Sequence, residues 1–311
     1  MTEAGVDQPE ACRFDDLVPE PHELFDGTAT KEAFVEIGEN FVAHYLIGRC
    51  RLEPTHAVLD IGSGNGQKAR PLTRYLSPQG RYAGFDIVKA GIDWCHQRYA
   101  SWPNFQFDFQ ELRSDWYNPE GRSAAQEFVF PYGDESFDVV FMSSVATHML
   151  PEELEHYLRE SHRVMKRGGR FFATLFLMSD EALGASAHLR IQDREFQRIA
   201  ANLWTIDPER PSRGVAYREA FARSLVARAG LRVAEITFGM WSGADVVGAL
   251  QDTILAVKPI QAPEGSTGNP ALGNTSRRQR SGCLQPRWWT WPRRWRRGTW
   301  QVDDPDHGAG G

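Results

Sequence analysis

The residues of this chain whose types and spacing point to chemistry are Asp60, Gly62, Gly64 and Gly66, followed further on by Asp86. The first aspartate sits in an apolar run, Ala57-Val58-Leu59-Asp60-Ile61, that reads as a buried strand. Every other residue of the loop after it is glycine. Glycine lets a backbone turn sharply and approach a ligand closely, because no Cβ intervenes. Asp86 closes the next strand, in Gly84-Phe85-Asp86. A carboxylate there can accept both hydroxyls of a ribose, as acidic residues do at the second strand of nucleotide-binding α/β folds. Taken alone, Asp86 reads equally well as a helix N-cap. The ligand implied is an adenosine that carries something small and polar.

The spacing excludes two other nucleotide loops. The dinucleotide fingerprint needs Gly-x-Gly-x-x-Gly, and here the third glycine comes one residue too early. No Gly-Lys-Ser/Thr follows, so the loop does not cradle a triphosphate. A further candidate is His148, placed after a strand at the carboxyl edge of the sheet, where open α/β folds bind ligands. Histidine titrates near ~6.5 when unperturbed, which suits a general base. The rival readings of His148 are packing on the ligand and capping the helix that follows.

These groups need a frame, and the rest of the chain supplies one. A leading amphipathic helix is predicted over residues 30–48, with Phe34, Ile37, Phe41 and Tyr45 at helical spacing. Residues 105–109 alternate as a third strand. A helix is predicted from Pro151 to Arg167, with Glu152 and Glu153 in its first turn, Lys166 and Arg167 in its last, and Gly168-Gly169 as its stop. Residues 170–176 read as a buried fifth strand. An insertion at 179–214, polar and interrupted by Gly184, Pro208 and Pro211, reads as a lid on the acceptor side. Trp204, Asp180 and Tyr217 are its candidate contacts, with Trp204 equally readable as core. A helix over 216–229, a strand over 231–237 and an antiparallel last strand over 251–257 complete the pattern.

In this order the segments resemble the class I S-adenosylmethionine-dependent methyltransferases. The glycine loop resembles their motif I, and Phe130-Pro131-Tyr132-Gly133-Asp134 leading into Phe137-Asp138-Val139-Val140 resembles the segment before strand four. Met142 to Leu150 resembles the loop after it. The resemblance spans roughly residues 30–259. It implies an α/β fold of Rossmann-like, doubly wound type: a seven-stranded, mostly parallel sheet with an antiparallel last strand and helices on both faces. It implies S-adenosyl-L-methionine as cofactor, with Asp60 at the methionine ammonium and the backbones of Gly62 and Gly64 along the methionine moiety. Asp86 would take the ribose, Glu111 the adenine amino group, and Leu112 would pack beside the adenine. Ser63, Gly66, Ile87 and Ser143 complete the implied cofactor contacts. Ser63 stands where many members have Cys. Ala146 replaces something bulkier, which would enlarge the acceptor pocket.

Composition agrees with a globular enzyme. The 311 residues are 41% hydrophobic and 12% aromatic, enough for a sizeable core. The four cysteines show no Cys-x-x-Cys spacing, so a zinc site is not expected and a reduced, cytoplasmic setting is. No apolar run approaches the ~20 residues of a membrane span, and residues 1–10 do not read as a signal peptide. Residues 1–260 hold 27 basic and 37 acidic residues, and an acidic body disfavours a polyanionic substrate. Residues 1–29 are expected to be loose and 260–311 to be a linker and disordered tail. From Arg277 to Trp300 that tail carries eight Arg and five Trp without an acid. Such a stretch can bind single strands; an extension read in a shifted frame is the favoured account.

The reading that results is methyl transfer to a small molecule or sugar at a hydroxyl, by in-line displacement without a metal. Its alternatives are a cofactor-binding module without catalysis and a nucleic-acid methyltransferase that uses the basic tail. The expected partner is the small-molecule acceptor, with neither membrane nor nucleic acid favoured.

Overall fold

The computed structural model describes residues 12–25, 28–184, 189–191, 194–242 and 250–260. The basic tail, and with it the shifted-frame account, lies outside the described residues. No helix among them is long and apolar enough to cross a membrane.

Helix α1 (Lys31–Phe41) starts at Thr30, whose Oγ1 accepts the Ala33 N–H at 3.1 Å. It does not end where it first could. From Val42 to Arg49 the chain winds as a π-helix, closed by the Cys50 N–H on Tyr45 O at 2.8 Å. The wider turn shifts the buried stripe from a strict 3.6 period. Phe34, Phe41, Val42 and Leu46 are buried, whereas Ile37 and Tyr45, expected on the same face, are half-buried.

The chain then alternates. Strand β1 (Ala57–Ile61), α2 (Ala69–Tyr75), β2 (Arg81–Asp86), α3 (Lys89–Arg98), β3 (Phe105–Phe109), β4 (Phe137–Met142), α4 (Pro151–Val164) and β5 (Met165–Met178) follow in order. Strands β3-β2-β1-β4-β5 lie side by side and parallel. Parallel strands covered on both faces read as continuous apolar runs, and their side chains alternate between two cores. Leu59, Ile61, Phe85, Val140 and Met142 enter one. Val58, Tyr82, Val139, Phe141 and Phe172 enter the other, under α1, α2 and α3.

Helix α4 ends three residues before its predicted stop. Its start is as expected, with Pro151 in the first turn and the Glu153 carboxylate accepting the Leu150 N–H at 2.7 Å. Gly168 and Gly169 serve the sheet instead. Gly168 adopts a left-handed φ of +77°, its N–H donates to Lys258 O at 2.9 Å, and the Lys258 N–H donates to Gly169 O at 3.0 Å. Lys166 and Arg167 therefore lie in β5, outside the helix.

Beyond β5 come α5 (Asp180–Gly184), the short strands β6 (Arg190–Ile191), β7 (Arg194–Glu195), β8 (Gln197–Ala200) and β9 (Leu203–Thr205), then β10 (Val215–Arg218), α6 (Glu219–Arg228), β11 (Arg232–Thr237) and β12 (Asp252–Val257). Strand β5 is long enough to pair twice along one side. Residues 170–175 pair antiparallel with β12, which carries β11, and residues 176–178 pair parallel with β10, which carries β9 and β8. The seven strands β3-β2-β1-β4-β5-β12-β11 form the expected sheet with its antiparallel β12. The described residues of the insertion add a β extension to the sheet. Asp252 holds the junction between the two pairings. Its buried carboxylate accepts the Leu177 N–H (2.6 Å), the Gly239 N–H (2.7 Å) and the Trp241 indole N–H (2.7 Å). Burial pushes its pKa up to about 6 against those hydrogen bonds.

The predicted helix over 216–229 begins at Glu219, because Tyr217 belongs to β10. Residues 12–25, expected to be loose, form two 3-10 turns with Leu17 fully buried. Phe14 lies under the guanidinium groups of Arg70 and Arg74.

Candidate active site

The loop after β1 turns over the end of β2. The Gly62 and Ser63 N–H groups both donate to Phe85 O, at 2.9 and 3.1 Å. Gly62, Gly64 and Gly66 all have left-handed φ values, +78°, +54° and +76°, a region that Cβ-bearing residues avoid. At Gly62 a Cβ would also lie 2.3 Å from Val145 Cγ2, so the loop after β4 packs directly on the glycine. Asp86 closes the turn from below: its Oδ2 accepts the Gly64 N–H and its Oδ1 the Val88 N–H, both at 2.8 Å. The aspartate expected to hold a ribose thus also clamps the loop, and a carboxylate has acceptor capacity for both duties.

Asp60 is buried beside it. The Tyr82 hydroxyl donates to Asp60 Oδ2 at 2.8 Å, while Asp60 Oδ1 has no partner among the described residues. Burial raises the Asp60 pKa to about 7. Lys68 and the Tyr82 hydrogen bond pull it back, and Asp86 pushes it further up. Ser63 Oγ, Asn65 Oδ1 and Gln67 Nε2 are likewise buried without a partner. Buried polar groups are nearly always hydrogen-bonded, so four orphans around one loop are evidence of a missing polar ligand. A group with an ammonium, a carboxylate and hydroxyls fits that set.

A strap crosses the loop. Asn65 Nδ2 donates to Glu23 O at 2.7 Å, and the Phe25 ring lies so close to Gly91 that a Cβ there would sit 2.6 Å from it. Helix α1 packs on the next turn, with Gly38 against Gln67 O and Glu39 paired to Arg70 at 3.0 Å. Of the remaining expected contacts, Leu112 is buried, Ile87 packs on the main core and Ser143 is half-buried after β4. The Glu111 carboxylate is half exposed and lies 3.6 Å from the Arg122 guanidinium.

His148 stands in a 3-10 turn (Ala146–His148) after β4. Its Nδ1 lies 3.0 Å from Ser212 O. A carbonyl only accepts, so Nδ1 carries the proton and Nε2 keeps its lone pair. Burial lowers its pKa, partly offset by the backbone hydrogen bonds to Ser212 and Arg213, so the ring is neutral at pH 7. The Tyr117 ring packs edge-on against it at 5.3 Å. Ala146, expected to widen the pocket, is fully buried in the core. Trp204 and Tyr217 are core as well. Trp204 sits with Phe176, Phe196, Ile206 and Trp241, and the Tyr217 hydroxyl donates to Met149 O. Asp180 is exposed and pairs with Arg218 at 2.7 Å. Sequence reasoning missed Tyr82, Asn65, Gln67 and Val145 at the loop, and Trp116, Tyr117 and Ser212 around His148. Only Asn65 and Gln67, which flank Gly66, left a signal in the sequence.

Residues 59–173 match the family model of a methyltransferase domain. Arsenite methyltransferase of Rattus norvegicus is 25% identical over 146 residues, 46% of this chain and 38% of that protein. Sterol 24-C-methyltransferase of Schizosaccharomyces pombe is 28% identical over 138 residues, 44% and 32%. The match thus spans about a third of each curated relative. A solved S-adenosylmethionine-dependent methyltransferase of Methanosarcina mazei shares 18% identity over 70% of this chain and 98% of that one, with a TM-score of 0.46. Over residues 59–173 the chain is thus similar to a methyltransferase domain.

Proposed function

We propose that the chain transfers a methyl group from S-adenosylmethionine to a hydroxyl of a small-molecule acceptor. When bound, the cofactor supplies an electrophilic methyl on a sulfonium that departs as a neutral thioether. The chain's own residues do the rest. Asp60 Oδ1 takes the methionine ammonium, the backbone of Gly62 to Gly66 lines the amino-acid end, and Asp86 shares its oxygens with the ribose hydroxyls. The strap at Glu23–Phe25 and the turn at Ser212–Arg213 keep water out. His148 takes the acceptor's proton at Nε2 as the new O–CH3 bond forms. Holding the acceptor in line with the breaking bond can supply roughly 7–11 kcal/mol.

The observation that carries the reading is the set of buried, unpartnered polar atoms (Asp60 Oδ1, Ser63 Oγ, Asn65 Oδ1, Gln67 Nε2) around a loop of left-handed glycines. Calorimetric titration of S-adenosylmethionine and S-adenosylhomocysteine, with NADH as control, tests it. Micromolar binding of the sulfur ligands is expected, followed by methyl transfer to a member of a hydroxylated acceptor panel. Binding without transfer to any of them supports the non-catalytic module, and no binding to a folded chain overturns the reading.

A further inference from the structure

In the acidic body of this chain a cluster of arginines lies beside His148. Arg194, Arg210 and Arg213 converge on one carboxylate oxygen, Asp207 Oδ2, at 3.6, 3.9 and 3.7 Å. None of these is as short as a charge-assisted hydrogen bond, ~2.7–2.9 Å. The other Asp207 oxygen is taken by the backbone, accepting the Glu209 and Arg210 N–H groups at 3.2 Å. Three guanidinium charges thus share one carboxylate.

Arg213 is the most enclosed of the three, its side chain 14% exposed. Among the described residues its guanidinium makes no hydrogen bond; it lies 4.4 Å from the centre of the Trp116 ring, with Arg210 at 5.9 Å on the same ring. A cation largely removed from water is costly unless it is paired. A guanidinium held flat by an aromatic plate presents its N–H fork to a planar or tetrahedral anion. The Ser212 carbonyl, one residue before Arg213, orients His148.

We infer that this niche binds an anionic group, a carboxylate or a phosphate, carried by the methyl acceptor, with Arg213 and Arg210 as specificity-determining residues. The inference rests on the proposed function, since it names the acceptor class of the same site. Trp116 and Tyr117 would flank the acceptor, Arg213 would take its anion, and His148 would face its hydroxyl. One anionic group is compatible with the acidic body, which repels a polyanion but not a ligand met by a local pair of arginines.

The test uses the full chain and two probes, inorganic phosphate and 4-hydroxybenzoate, titrated calorimetrically with and without saturating S-adenosylhomocysteine. At least one probe is expected to bind. Arg213→Gln and the more exposed Arg210→Gln are each expected to weaken it tenfold or more, with S-adenosylhomocysteine affinity and melting temperature unchanged for Arg210→Gln. Asp207→Asn, which removes the competing carboxylate, is expected to tighten it. Absence of binding by both probes, or binding that Arg210→Gln and Arg213→Gln leave unchanged, overturns the inference. Anion binding in a chain that fails to bind S-adenosylhomocysteine would leave the niche standing and remove the methyltransferase reading, so the two fail separately.

Discussion

The two halves of the carboxyl edge are built in opposite ways. The proposed cofactor half is largely local: Asp60, the three glycines and Asp86 fall on adjacent strands with short connections, with the strap at Glu23 and the Val145 side chain reaching in from elsewhere. The proposed acceptor half is assembled from three distant segments, around Trp116, His148 and Arg213. The first presents unpartnered polar atoms in a buried loop, and the second presents loosely paired cations against an aromatic ring. A binding loop made of neighbours can be reused with many acceptor walls, whereas the wall depends on how the chain after β5 folds back.

Substitutions can break or sharpen this contrast. The largest effect is expected from Trp204→Ala, which should cost about 3–5 kcal/mol of stability through an emptied core site. Chemical denaturation would show it, with S-adenosylhomocysteine affinity preserved in the folded fraction; lost affinity would mean the halves are coupled. Gly62→Ala acts on the other half. Left-handed strain and the clash with Val145 together should cost about 2–5 kcal/mol, read as a collapse of cofactor binding in calorimetry.

His148→Ala should lower turnover about 100-fold, near 2.7 kcal/mol, with cofactor affinity intact. Near-normal turnover on a hydroxyl acceptor would leave the ring a packing role. Asp86→Ala should weaken cofactor binding by ~1–3 kcal/mol. It should also lower the melting temperature, since the carboxylate ties Gly64 and Val88; unchanged affinity would reduce Asp86 to a clamp.

The smallest effect is one of pH. The folded Asp60 pKa, raised to about 7 by burial, lies above that of the unfolded chain. Only the carboxylate attracts the ammonium. Affinity for S-adenosylhomocysteine should therefore rise with pH up to about 7 and level off above it, by at most about tenfold per unit. The ligand-free fold should lose stability as pH rises between the unfolded pKa and about 7, because there the folded state binds the extra proton. Titrations across pH 5.5–8.5 would show the slope, and a flat profile would remove Asp60 from the ammonium site.

Much of the cofactor half was legible in the sequence because its signals are local. Three glycines at alternate positions need left-handed backbone, and an aspartate closing the next strand falls within reach of them. The seven-stranded sheet was implied by the resemblance of the motifs and their order, not by any one apolar run. Of the proposed acceptor half only His148 was legible. Trp204 read equally as an acceptor contact or as core, and Tyr217 as an acceptor contact; pairing of β10 with the end of β5 and with β9 put both in the core. Gly168-Gly169 looked like a helix stop, and the Lys258 backbone recruited it into the sheet instead.

The sequence by itself determined the succession of strands and helices along the chain, the glycine turn and the placement of Asp60 and Asp86 at strand ends, because period-2 and period-3.6 patterns and backbone sterics act over a few residues. The tertiary structure alone decided that Asp60 is buried with an orphaned oxygen, that Ser212 sets the tautomer of His148, and that three arginines meet one aspartate beside Trp116. Those outcomes depend on desolvation and on contacts between segments tens of residues apart, and neither is written in any short stretch of the chain.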